Sequence, residues 1–144
     1  DISEGMVRLA REYNTRGEKA RYTVNCADTL PYQPDSFDLV YTNIVLQHME
    51  KRFALGYISE FVRVIRPDGL AIFQAPSRRL GSSETKSITV IETDNGTCTI
   101  EMNMVPKDEV VEVVRRAGGR FLEILPNDSS GPLFEGFRYA VTKG

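Results

Sequence analysis

The sequence predicts an α/β fold built on an open, largely parallel sheet, and three observations carry that expectation. The stretches Phe37–Thr42 and 70–74 are continuous apolar runs, as strands buried on both faces are. Between them Phe53, Tyr57, Ile58, Phe61, Val62 and Ile65 recur at helical spacing and mark one apolar face. The polar residues Asp28, Asn43, Gln47, His48 and Ser77 gather where strands stop, which is where ligands bind in open sheets. Residues 21–77 are therefore the expected wall of a binding crevice.

The elements follow in order. Ser3 is placed to cap a first helix and Glu4 suits the positive end of its dipole. Met6, Leu9, Ala10 and Tyr13 mark its apolar side, and Asn14 through Gly17 end it. A short strand is expected over 22–25, then a proline-bearing loop over 26–36. The strand Phe37–Thr42 leaves through a turn over 43–49 into a helix from about Glu50 to Ile65, which Pro67 and Gly69 stop. After the strand at 70–74 comes a polar loop over 78–85. Residues 88–91 and 98–102 flank Asp94-Asn95-Gly96, a strong hairpin signal, giving a hairpin insertion at about 86–104. A helix over 107–117 carries Val110, Val111, Val113 and Val114 and closes at Gly118-Gly119. Strands at 120–125 and 134–142 are joined by a loop rather than a helix, so they are expected to be antiparallel.

Bulk properties bound the function. With 144 residues, 41% of them hydrophobic, the chain is expected to be one soluble domain with a single core. A net charge of −2 with interspersed signs leaves no electrostatic footprint for nucleic acid. No apolar run approaches the roughly 20 residues a membrane span needs. Cys26 and Cys98 stand far apart with one histidine in the chain, which argues against zinc and for reduced thiols in a cytoplasmic setting.

With the order strand, loop, strand, helix, strand in place, particular segments carry a resemblance. They are DISEGMVRLA, CADTLPYQPDSFDLV, TNIVLQHM, EFVRVIRPDGLAIFQAPS, VVRRAGGRFLEI and FRYAVTKG. In that order the chain resembles the class I S-adenosylmethionine-dependent methyltransferases, in the type 11-like small-molecule group. The resemblance implies a Rossmann-like methyltransferase sheet with an antiparallel closing hairpin, S-adenosylmethionine as cofactor and a small-molecule acceptor.

By position, Asp1 matches the acidic residue that accepts hydrogen bonds from the cofactor's ribose hydroxyls, and Ile2 would lie against the adenine. A carboxylate suits a vicinal diol because it is acceptor-only; the bland alternative is an Asp that merely precedes a helix. Cys26, Ala27 and Asp28 match the loop that reads the adenine edge. The family often has an acidic residue where Cys26 stands, so Asp28 or backbone would take over that role. Asn43 matches the position that packs the methionine part, against the alternative of local turn hydrogen bonds. Gln47 and His48 fall near an acceptor, where an imidazole could take its proton, although a lone histidine in a turn is more often structural. Arg78 and Arg79 open the insertion and could meet a substrate phosphate or carboxylate, although a solvated loop is the commoner explanation.

The departure is the glycine-rich loop between the family's first strand and first helix, which these 144 residues do not contain. The chain is expected to be a fragment lacking the first strand and that loop. Five core strands are then expected, with activity impaired and a homodimer forming through unpaired strand edges. A non-catalytic methyltransferase-like binding or assembly module is the competing function. A dinucleotide oxidoreductase shares the sheet and the ribose acid, but does not need FDLVYTNIVLQHM or the antiparallel closing pair.

Overall fold

The computed structural model describes residues 1–93 and 96–144. They form two units, Asp1–Pro31 and Tyr32–Gly144. In the first, helix α1 spans Glu4–Glu12 and is capped by Ser3, whose hydroxyl accepts from the Met6 amide at 3.2 Å. A 3₁₀ turn at Gly17–Lys19 follows. The expected strand at 22–25 does not form. Asn25 donates to the Asp1 carbonyl at 2.8 Å, and the Asp1 nitrogen donates to the Thr23 carbonyl at 3.1 Å. The stretch runs extended beside Asp1 without being a strand.

The second unit is built on a sheet of four strands in the order β1-β2-β6-β5. They are β1 (Phe37–Thr42), β2 (Ile65–Arg79), β5 (Gly119–Asn127) and β6 (Phe134–Lys143). Strands β1 and β2 are parallel, whereas β2–β6 and β5–β6 are antiparallel. The closing antiparallel pair is thus as expected. The expected count of five core strands is corrected to four in this sheet, because 22–25 adds no strand.

Helix α2 (Lys51–Val64) ends one residue before expected, because Ile65 already pairs with Phe37. Pro67 and Gly69 therefore stop no helix. They form a bulge in β2, with Asp68 at φ 61° and the ladder resuming at Leu70. Any Cβ on Gly69 would stand 2.8 Å from the Arg66 carbonyl, so the corner requires glycine.

One face of this sheet forms the core. Phe61 of α2 lies against Phe73 with ring centroids 5.9 Å apart, and Phe73 stacks on Tyr139 at 5.0 Å. Helix α3 (Lys107–Arg116) adds Val110 and Val114, both fully buried. Such burial contributes about 1.5–3 kcal/mol for each large apolar side chain. On β1 alternation sends Leu39 and Tyr41 to the same face, and both are exposed. Strands β3 (Lys86–Thr93) and β4 (Gly96–Asn103) form a separate antiparallel hairpin, as expected. Its expected Asp94-Asn95 turn lies outside the described residues.

Candidate functional site

Within the first unit, Asp1, Ile2 and Cys26 come to one corner. The Asn25–Asp1 hydrogen bond brings the two segments side by side, and the Cys26 thiol donates weakly to the Ile2 carbonyl at 3.7 Å. One oxygen of the Asp1 carboxylate accepts from the Ser3 amide at 2.8 Å. No described residue engages its second oxygen. Ile2 is 72% exposed beside it. An acceptor-only carboxylate with a free oxygen, next to an exposed aliphatic side chain, fits the ribose and adenine of a nucleoside.

Ala27 and Asp28 continue the exposed loop. It is shaped by Asn25, whose side-chain amide donates to the Thr29 carbonyl at 2.9 Å and the Ala27 carbonyl at 3.4 Å. Sequence reading took Asn25 only as the last residue of a strand. Its signal was the Asn itself, a residue type that folds back onto nearby backbone.

In the second unit, β1 delivers Asn43, half-buried, to the turn before a 3₁₀ segment at Leu46–His48. Ile44 in this turn has φ 58°, a left-handed conformation that β-branched residues rarely adopt. Its amide donates to Oε1 of Gln74 at 3.3 Å. Gln74 Nε2 donates to Ser130 Oγ at 2.7 Å, and that hydroxyl donates to Gln47 Oε1 at 2.8 Å. The Gln47 amide lies 3.3 Å from His48 Nε2, and His48 Nδ1 lies 3.0 Å from the Glu101 carbonyl on β4. Both ring nitrogens of His48 therefore have protein partners.

Gln74 and Ser130 were missed by sequence reading. A glutamine inside the apolar run LAIFQAP was a usable signal, since a buried polar group needs partners. Ser130, in a polar loop, offered none.

The remaining candidates serve the scaffold. Ser77 Oγ accepts from the Lys107 amide at 3.1 Å and so caps α3 from another element. Arg78 pairs with Glu135, and its guanidinium holds that carboxyl below the usual carboxylate range. Arg79 pairs with Glu84 at 3.2 Å. Both members of the basic pair, which could have met a substrate anion or simply formed a solvated loop, face protein carboxylates.

Comparison with known proteins adds the family. Residues 1–73 match the model of the methyltransferase domain family. A malonyl-[acyl-carrier protein] O-methyltransferase of Methylococcus capsulatus is 36% identical over 73 residues, covering 51% of this chain and 26% of that protein. The chain thus matches about a quarter of the length of this curated relative. A protein of Pyrococcus horikoshii superposes on the whole chain with a TM-score of 0.70 at 22% identity, over 69% of its own length. An S-adenosylmethionine-dependent methyltransferase of Clostridium acetobutylicum does so with a TM-score of 0.69 at 12% identity, over 73% of its length. These two likenesses speak for the fold. The family match over half of the chain establishes that it belongs to the methyltransferase domain family.

Proposed function

We propose that the chain serves methyl transfer from S-adenosylmethionine to a small-molecule acceptor. The observation that carries this reading is the Asp1–Ile2–Cys26 corner, where a carboxylate oxygen is free beside an exposed aliphatic side chain. Within the first unit Asp1 takes the ribose hydroxyls, and Ile2 and the Cys26–Ala27–Asp28 loop take the adenine; Asn43, in the second unit, is assigned the methionine part by the family resemblance alone. When bound, the cofactor supplies a methyl group already activated on a sulfonium.

The protein's task is then to orient the two reactants and exclude water, effects that together supply on the order of 7–11 kcal/mol. In this reading His48 orients rather than accepts a proton, because its ring nitrogens are already engaged. The small-molecule acceptor is supported by the curated relative's name, which specifies O-methylation of malonyl-[acyl-carrier protein], and by the low net charge of −2.

The 144 residues contain no glycine-rich loop. On their own they should hold the cofactor weakly, which also keeps alive the reading of a non-catalytic binding module. Isothermal titration with S-adenosylhomocysteine tests both. The expected result is a dissociation constant above the micromolar range for the 144 residues, weakened about tenfold by Asp1→Ala through loss of charge-assisted hydrogen bonds. Equal affinity of the variant would overturn the role of Asp1, and absence of binding would overturn the cofactor reading. Binding without methyl turnover on any acceptor panel would favour the non-catalytic module.

A further inference from the structure

Three of the five buried polar side chains among the described residues, Gln47, Gln74 and Ser130, belong to one hydrogen-bonded chain. Its polarity follows from elementary chemistry. The Glu101 carbonyl can only accept, so the proton on His48 must sit on Nδ1, and Nε2 presents a lone pair to the Gln47 amide. The Gln47 carbonyl then takes the Ser130 hydroxyl proton, and the Ser130 oxygen takes a proton of the Gln74 amide. The Gln74 carbonyl accepts from the Ile44 amide. Every donor points the same way, from the strained turn after β1 to the backbone of β4. Aligned hydrogen bonds of this kind polarise and strengthen one another.

We propose that Gln74, Ser130 and Gln47 are positioning residues. They hold the Asn43–Ile44 turn in its left-handed conformation and, through the tautomer of His48, couple that turn to the β3–β4 hairpin. The positioning role rests on the functional reading above, which gives the turn a cofactor to position; the relay itself does not. Ile44 could not keep φ 58° without an external hold, because left-handed backbone at a β-branched residue is unfavourable. The Gln74 carbonyl supplies that hold from a side chain 1% exposed.

His48 is the single histidine, so its ¹⁵N imidazole spectrum is an unambiguous reporter. The expected spectrum is that of the Nδ1–H tautomer. Ser130→Ala touches neither His48 nor Ile44, yet it should shift His48 towards a tautomer mixture. It should also speed amide exchange at Ile44 about fivefold and weaken S-adenosylhomocysteine binding about fivefold, the equivalent of one hydrogen bond. Far-UV circular dichroism establishes that the variant remains folded; should it not, Gln47→Glu, which replaces the amide facing His48 with an acceptor, is read in the same way.

An Nε2–H tautomer in the wild-type chain, or a folded variant that leaves both the His48 spectrum and Ile44 exchange unchanged, overturns the relay. Altered spectra with unchanged ligand affinity overturn the positioning role. Failure of the wild-type chain to bind the ligand overturns the functional reading and the positioning role with it, while the spectra still decide the relay.

Discussion

On α2 the apolar residues Ala54, Ile58, Phe61, Val62 and Val64 are buried, whereas on α1 Met6 and Tyr13 remain 56% and 75% exposed and Val7 alone is buried. Both helices carry helical apolar spacing, so the periodicity does not distinguish them. The difference lies in what each meets within its own unit. Helix α2 has the aromatic face of β2 and β6, where Phe73 and Tyr139 stack at 5.0 Å. Helix α1 has an extended stretch at 20–25 that forms no ladder and offers no sheet face. Spacing states which side of a helix is apolar; a partner surface decides whether that side leaves water. The apolar side Met6, Leu9, Ala10 and Tyr13 is present on α1, but burial falls on Val7, one position round the helix.

The sharpest way to break this contrast is to truncate each face. Phe61→Ala should cost about 3–5 kcal/mol in urea unfolding, because the ring leaves a cavity against Phe73 and Tyr57. A cost below 1 kcal/mol, well under that range, would show that the α2 face is not the core. A middle effect probes the polar flaw in that core. The Tyr139 hydroxyl is buried without a hydrogen-bond partner among the described residues. Tyr139→Phe should therefore raise stability by about 1 kcal/mol.

The same residue yields a pH dependence. Burial, with the Asp108 carboxylate second, pushes the Tyr139 phenol above its ordinary value of 10.0. The folded state then holds the proton more tightly than the unfolded one, so this contribution is complete below pH 10 and is lost as pH rises beyond it. Tyr139→Phe should flatten the alkaline decline in melting temperature; an unchanged decline would assign it to other groups. The smallest effect belongs to α1, where Met6→Ser should stay within about 0.5 kcal/mol. A loss rivalling that of Phe61→Ala would mean that α1's outer side is covered in solution.

Which residues of the candidate site lie side by side was partly legible; which partners they engage was not. Asp1, Ile2 and Cys26 were picked out from motif order, and backbone pairing brings them together. Ser77, Arg78 and Arg79 looked equally available at the end of a strand. Their partners, the Lys107 amide, Glu135 and Glu84, lie 30, 57 and 5 residues away, and residue type and strand-end position do not reveal such pairings. His48 left two readings open, a proton acceptor near a strand end or a structural residue of the turn. Its partners, the neighbouring Gln47 amide and the carbonyl of Glu101, occupy both ring nitrogens.

By itself the sequence determined local and repetitive features. It placed β1 at Phe37–Thr42 to the residue, because an apolar aromatic run bounded by polar residues has few alternatives. It also placed the Ser3 cap, the helices and the antiparallel closing pair, each governed by neighbours a few residues apart. Tertiary structure decided where burial falls on α1 and that 22–25 stays out of a ladder. It also turned Pro67–Gly69 into a bulge within β2 and made Gln74, Ser130 and Gln47 one relay. Each of those outcomes depends on a surface or a hydrogen-bond partner distant in sequence, and periodicity and propensity carry no information about such partners.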